Sequence, residues 1–93
     1  MRKGRIEWTR SAQKAFSKLD AHLQDRIRRS LKEALRYLTG LTNHRPDLKK
    51  LHGKYEGLLR LRVGDWRVIF EVKRKDVVVL KVIKVEHRRE AYR

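Results

Sequence analysis

The run Leu58-Leu-Arg-Leu-Arg-Val-Gly-Asp-Trp-Arg-Val-Ile-Phe70 leaves this chain few ways to fold. Apolar and basic residues alternate along it, and Gly64-Asp65 interrupts it at the centre. A period of two is the spacing of a strand with unlike faces. A two-residue break led by glycine, which reaches positive φ freely, is a hairpin turn. That turn pairs Val63 with Trp66, Arg62 with Arg67, Leu61 with Val68 and Leu59 with Phe70. Leu59, Leu61, Val63, Trp66, Val68 and Phe70 then share one face, which needs a cover. Arg60, Arg62 and Arg67 share the other. Like charges set directly across a strand pair destabilise it, by up to about 1 kcal/mol. An arrangement that costs stability points to a use for the basic face. Plain solvation is the alternative, but arginine stays protonated and presents a planar fork to phosphate oxygens, so anion binding is favoured.

The rest of the chain supplies the cover. Arg5 to Trp8 alternates and predicts a short strand. Thr9 can cap a helix whose apolar face is Ala12, Ala15, Phe16 and Leu19. Asp20 can cap a second, with Leu23, Ile27, Leu31, Ala34, Leu35 and Leu38 as its stripe and Gly40 as its end. Arg26, Arg28, Arg29, Lys32 and Arg36 lie off that stripe. Thr42 to Pro46 predicts a loop, and Leu48 to Gly53 a basic connector. Val77 to Val85 predicts a third strand, apolar on both parities at its start, as suits a central position. The loop before it leaves open which of Lys81 and Lys84 joins the arginine face. No repeat or linker appears, so one domain over residues 1–93 is expected. The expected class is α+β. It has an N-terminal strand, a two-helix antiparallel hairpin and an antiparallel β-meander of three strands, with the helices on one face of the sheet.

Lysine and arginine number 26 against 11 aspartate and glutamate, a net charge of +15. A domain so basic repels itself unless a polyanion is near, which points to nucleic acid held through its phosphates. A heat-adapted surface would explain a charged fraction of 40% but not its sign. With no cysteine there is no disulfide framework and no thiolate metal site, as fits a cytoplasmic protein. No apolar stretch spans a bilayer, no long helix joins a basic face to a bulky aromatic one, and the N-terminus lacks the apolar core of a signal peptide. His22, His44 and His52 show no metal-ligand spacing. No cofactor, no metal and no membrane association are expected.

Four segments then occur in a telling order: Lys50-Leu51-His52-Gly53, the hairpin Gly57 to Phe70, the apolar strand Val77 to Val85, and His87-Arg88-Arg89-Glu90-Ala91-Tyr92. Together they resemble the RelE/ParE toxin superfamily, and its RelE branch in particular. The resemblance implies two helices packed on an antiparallel sheet of about four strands. It implies the toxin of a type II toxin–antitoxin system, a metal-independent endoribonuclease (an mRNA interferase) that cleaves messenger RNA in the ribosomal A site. It also implies a RelB-like antitoxin as partner, with the ribosome and mRNA as targets.

Carried over by position, Arg67 matches the arginine after the turn that stabilises the scissile phosphate. Arg60 and Arg62 match basic strand residues placed for phosphate contact or proton removal. Arg88 matches the tail arginine that serves the phosphate and the leaving oxygen. Tyr92 matches the tyrosine that stacks on or orients the substrate base. Arg60 and Arg62 stand where some relatives have lysine, and Glu86 where a glycine is common, so the general base is not assigned.

Such cleavage would use the neighbouring 2′-hydroxyl as nucleophile, with arginines stabilising the developing charge on phosphorus and the ribosome supplying much of the positioning. His87 neighbours these residues in sequence and can serve as acid or base, or simply solvate the tail. Two other readings stay open. A ParE-like inhibitor of DNA gyrase shares the fold, although its members usually lack the full arginine set and the terminal tyrosine. A non-catalytic nucleic-acid-binding module would show steep salt dependence and no cutting.

Overall fold

Both predicted caps are made in the computed structural model, which describes residues 3–91, with side chains to Arg89. Thr9 Oγ1 accepts from the Ala12 amide at 3.1 Å and opens helix α1 (Arg10–Ser17). Asp20 Oδ1 accepts from the Leu23 amide at 2.9 Å and opens α2 (Ala21–Leu38). Each bond satisfies an amide with no partner inside its helix, worth about 1 kcal/mol. Helix α2 ends where Gly40 turns to φ 82°. The Gly40 amide donates to Tyr37 O and the Leu41 amide to Arg36 O, the two bonds of a Schellman turn.

Five strands form the sheet: β1 (Lys3–Trp8), β2 (Leu48–Lys50), β3 (Leu59–Val63), β4 (Trp66–Arg74) and β5 (Val77–His87), in the order β1-β5-β4-β3-β2. The hairpin register is the one derived from Gly64-Asp65, pair for pair from Val63↔Trp66 to Leu59↔Phe70. Gly64 holds φ at 60°. Strands β3, β4 and β5 form the antiparallel meander expected, and two features outside it differ from the expected sheet. Strand β1 runs parallel to β5, so the sheet is mixed. The segment expected as a connector holds β2, a short edge strand paired with Leu59–Leu61. Three residues are too few to show a period, so only the pairing reveals it. A four-residue helix, α3 (Arg88–Ala91), follows β5 directly.

Lying between β1 and β4, β5 is paired along both edges, and Val79 on the arginine face is also buried, which fits its unbroken apolar start. Val78, Leu80 and Val82 are wholly buried. On the helix side Phe70, Leu61, Val68, Leu80 and Val82 pack against Ile27, Leu31, Ala34, Ala12 and Phe16. Among the described residues no helix is long and apolar enough to cross a membrane.

The question left open by the β4–β5 loop is resolved by a bulge. Ile69 pairs with Lys84 but Phe70 pairs with Val82, so Ile83 is an extra residue on β5. An extra residue shifts the parity of all that follows. Lys81, opposite Glu71, and Lys84, opposite Ile69, therefore both emerge on the arginine face.

Where β1 passes under α2 the fit is close. A Cβ on Gly4 would lie 2.7 Å from Leu35 Cδ1 and 3.0 Å from Thr39 Cγ2. Gly4→Ala is expected to push Leu35 aside and destabilise the fold by about 1–3 kcal/mol. A urea titration should show a lower midpoint with an unchanged slope.

Candidate active site

The register that buries the apolar face also gathers the basic one. A concavity of about 500 Å³ lies over the hairpin and is lined by Lys49, Arg60, Arg62, Arg67 and Arg88, with Leu51, Gly64, Asp65 and Trp66. Five cations and one carboxylate thus face a single hollow. Arg60 and Arg62 point from β3, and Arg67 from β4 opposite Arg62. Lys49 comes from β2, opposite Arg60. Arg88 arrives by a longer route. Because Trp66 pairs with His87 and Arg67 with Glu86, β5 ends beside the hairpin turn. The Arg88 amide then donates to Asp65 O at 2.8 Å, and its Nη1 lies 3.6 Å from Asp65 Oδ1.

Carboxylates hold these cations apart. Arg60 Nη2 donates to Asp47 Oδ1 at 3.2 Å, while its buried Nε has no hydrogen-bond partner among the described residues. Arg62 Nε reaches Gly64 O at 3.5 Å. Arg67 Nε is hydrogen-bonded to Glu86 Oε1. Glu86 is the one charged residue in the interior of the described protein, 3% exposed, and its Oε2 also lies 3.3 Å from Lys84 Nζ. Lys84 donates in turn to the Tyr55 hydroxyl at 3.2 Å. That hydrogen bond first, and Glu86 second, hold the Lys84 ammonium above the usual lysine range. A raised lysine pKa adds stability that is complete below the ordinary value and is lost as pH climbs through the raised one. At neutral pH the Lys84 ammonium is therefore fully protonated.

Of the residues singled out from sequence, Arg60, Arg62, Arg67 and Arg88 line the one hollow. Tyr92 lies outside the described residues. His87 is not part of the lining. It pairs with Trp66 on the helix side of the sheet, its ring edge-on to the indole at 5.2 Å, and faces a separate hollow with Asp20, His22 and Arg26. Adjacency in sequence put it near Arg88, but strand alternation turns it to the other face. Sequence reading missed Lys49, which sits on a strand too short to show a period, and the pairing of Glu86 with Arg67, which needs the β4–β5 register.

Chemically, the hollow can hold a phosphate among several fixed N–H forks and stabilise further negative charge on it. Among the described residues no three of His, Asp or Glu gather in a way that would hold a metal ion.

A family model described as the ParE toxin of type II toxin-antitoxin system, parDE, matches residues 6–92. No curated protein matches the chain in sequence. Among solved structures, the chain is similar to one in the archaeal RelE–RelB complex from Pyrococcus horikoshii OT3. That match has 30% identity and a TM-score of 0.69, over 92% of this chain and 96% of the other. A chain of the RelB–RelE antitoxin–toxin complex from Methanococcus jannaschii is 24% identical, with a TM-score of 0.64 over 92% and 94% of the two chains. The YoeB/ParE toxin from Agrobacterium tumefaciens is 21% identical and shares the fold, with a TM-score of 0.71 over 94% and 98%.

Proposed function

Because the chain belongs to the ParE toxin family of type II toxin–antitoxin systems, within the RelE/ParE superfamily, we propose that it acts as its RelE branch does: a metal-independent endoribonuclease that cuts messenger RNA in the ribosomal A site. The observation that carries this reading is the gathering of Arg60, Arg62, Arg67 and Arg88 around one hollow.

In the proposed reaction the 2′-hydroxyl of the nucleotide before the cut attacks the adjacent phosphorus. The bond from phosphorus to the 5′-oxygen breaks, leaving a 2′,3′-cyclic phosphate and a new 5′-hydroxyl. Charge on the phosphorane peaks in the transition state, so donors aimed there lower the barrier more than they tighten ground-state binding. Arg67 serves the phosphate from the centre of the basic face. Arg60 and Arg62 contact it from β3, or assist proton removal. Arg88 serves the phosphate and the departing oxygen. Tyr92 stacks on or orients the base.

The partner proposed is a RelB-like antitoxin. The Pyrococcus and Methanococcus matches are chains of complexes with RelB, and a net charge of +15 suits an acidic protein as well as ribosomal RNA. A ribosomal target places the protein in the cytoplasm.

The test is inducible expression without an antitoxin, with transcript 5′ ends mapped after induction. Wild type should give cuts in phase with codons. Arg88→Ala should weaken cutting by about tenfold or more, since one charge-assisted contact to the transition state is lost. Growth arrest with no codon-phased cuts would remove the ribonuclease reading. The ParE description of the matching family model favours a second one, inhibition of DNA gyrase. Loss of plasmid supercoiling by purified gyrase on adding the protein would establish it instead.

A further inference from the structure

Glu86 is placed where a carboxylate is hardest to keep. Its side chain is 4% exposed, on the sheet face that carries the arginines. Taking a carboxylate so far out of water costs several kcal/mol unless it is paired and hydrogen-bonded. Glu86 has two cations, one on each oxygen: Arg67 through Oε1 and Lys84, at 3.3 Å, through Oε2.

These two cations do not need it equally. Lys84 is 46% exposed, so its ammonium can turn to water. Arg67 is 25% exposed and stands directly across the strand pair from Arg62, a like charge. Without the carboxylate, repulsion from Arg62 would drive the Arg67 guanidinium out of its present orientation. With it, the Arg67 Nε–H is committed to Glu86, and among the described residues the Nη groups have no hydrogen-bond partner. The fork is thereby clamped along one edge, and its other donors are left for whatever enters the hollow that Arg67 lines. The same carboxylate puts a negative charge beside a pocket built for anions, which opposes ground-state binding.

We propose that Glu86 is a positioning residue: it fixes Arg67 for the phosphate transition state and weakens the binding of substrate as the consequence. This rests on reading the hollow as an RNA-cleaving site. The signature is that binding and turnover move in opposite directions when Glu86 is removed. A merely structural carboxylate would lower both.

Two assays read this out on the full chain. One measures the Kd for a short oligoribonucleotide made uncleavable by a 2′-deoxy residue at the cut. The other measures kcat on messenger in programmed ribosomes. Glu86→Ala should lower Kd about threefold or more and lower kcat about tenfold or more. Glu86→Gln keeps an acceptor for Arg67 Nε and should fall between wild type and Glu86→Ala in turnover. Parallel losses of affinity and turnover would overturn the proposal, as would wild-type turnover in Glu86→Ala.

A third measurement needs no variant and guards against misfolding. In wild type, nitrogen-resolved NMR should show the Arg67 Nε–H exchanging with water about tenfold or more slowly than that of Arg62, which among the described residues meets only a carbonyl, at 3.5 Å. Equal exchange rates would overturn the proposal. Were wild type inactive on ribosomes, the ribonuclease reading would fall, while oligonucleotide binding and exchange would still decide whether Glu86 clamps Arg67.

Discussion

Replacing Arg67 by alanine is expected to lower kcat for cleavage of ribosome-bound messenger by about 100- to 1000-fold, the usual cost of removing one preorganised transition-state donor. Three features make this the most sensitive position in the hollow. Arg67 is flanked on one side by Arg62 and on the other by Glu86, so its guanidinium sits in the middle of the basic face. It is largely buried, where a charge interacts more strongly than in water. Its Nε is anchored by Glu86, so little reorganisation is needed as charge develops on the phosphate. KM should change much less, because in the proposed reaction the ribosome would supply most of the ground-state binding. Arg67→Lys should restore little, since an ammonium lacks the fork. The variant should fold: Glu86 keeps its contact with Lys84 at 3.3 Å, and loss of its Arg67 partner costs at most about 3–5 kcal/mol. Single-turnover cleavage alongside circular dichroism separates the two effects. A folded Arg67→Ala protein that cuts at the wild-type rate would rule out the proposed role of this residue.

The second large effect is on stability. Phe70→Ala should destabilise the protein by about 3–5 kcal/mol, the loss of transfer energy plus the cavity left behind. Phe70 is wholly buried, on the helix face of β4, with Leu59 paired on one side and Val82 on the other. The cavity cannot collapse easily, because the strands on both sides are held by their own hydrogen bonds and α2 lies above. A domain of this size is commonly stable by only about 5–15 kcal/mol. The loss therefore takes a large share of the total, and a drop in Tm of about 12–40 °C is expected. Leu41→Ala is the control. Leu41 is 46% exposed, so its removal should stay within about 0.5 kcal/mol. Thermal melts of both variants check the contrast; a Phe70→Ala protein melting within a few degrees of wild type would mean that the packing over β4 is not what holds the sheet to the helices.

The ParE family membership and the hollow give different weight to the two functional readings. The ParE description of the family model over residues 6–92 weighs toward the gyrase reading. The cluster of arginines lining a 500 Å³ concavity favours phosphate chemistry. Codon-phased cutting of messenger and plasmid supercoiling are independent assays, so either reading can fail alone.

The elements legible from sequence are those decided by near neighbours. Thr9 and Asp20 cap amides three residues on. Gly40 ends α2 because the Schellman turn needs positive φ within one step of the cap. Gly64-Asp65 sets the register of β3 and β4, and with it which arginines share a face, because side chains alternate outward from a two-residue turn. The features decided only in three dimensions join residues far apart in the chain. Strand β2 exists because Leu48–Lys50 finds Leu59–Leu61. Strand β1 lies parallel to β5 because the helical hairpin carries the chain from β1 at one edge of the sheet to β2 at the other, and three antiparallel pairings then bring it back as β5. The extra residue Ile83 sets the parity of Lys84 and Glu86, and nothing in the local pattern marks it. Arg88 and Lys49 reach the arginines of the hairpin only through these pairings. Alternation and capping are short-range and survive in a bare sequence; the convergence of charges is a sum over long-range contacts, and it comes into being only when the sheet closes.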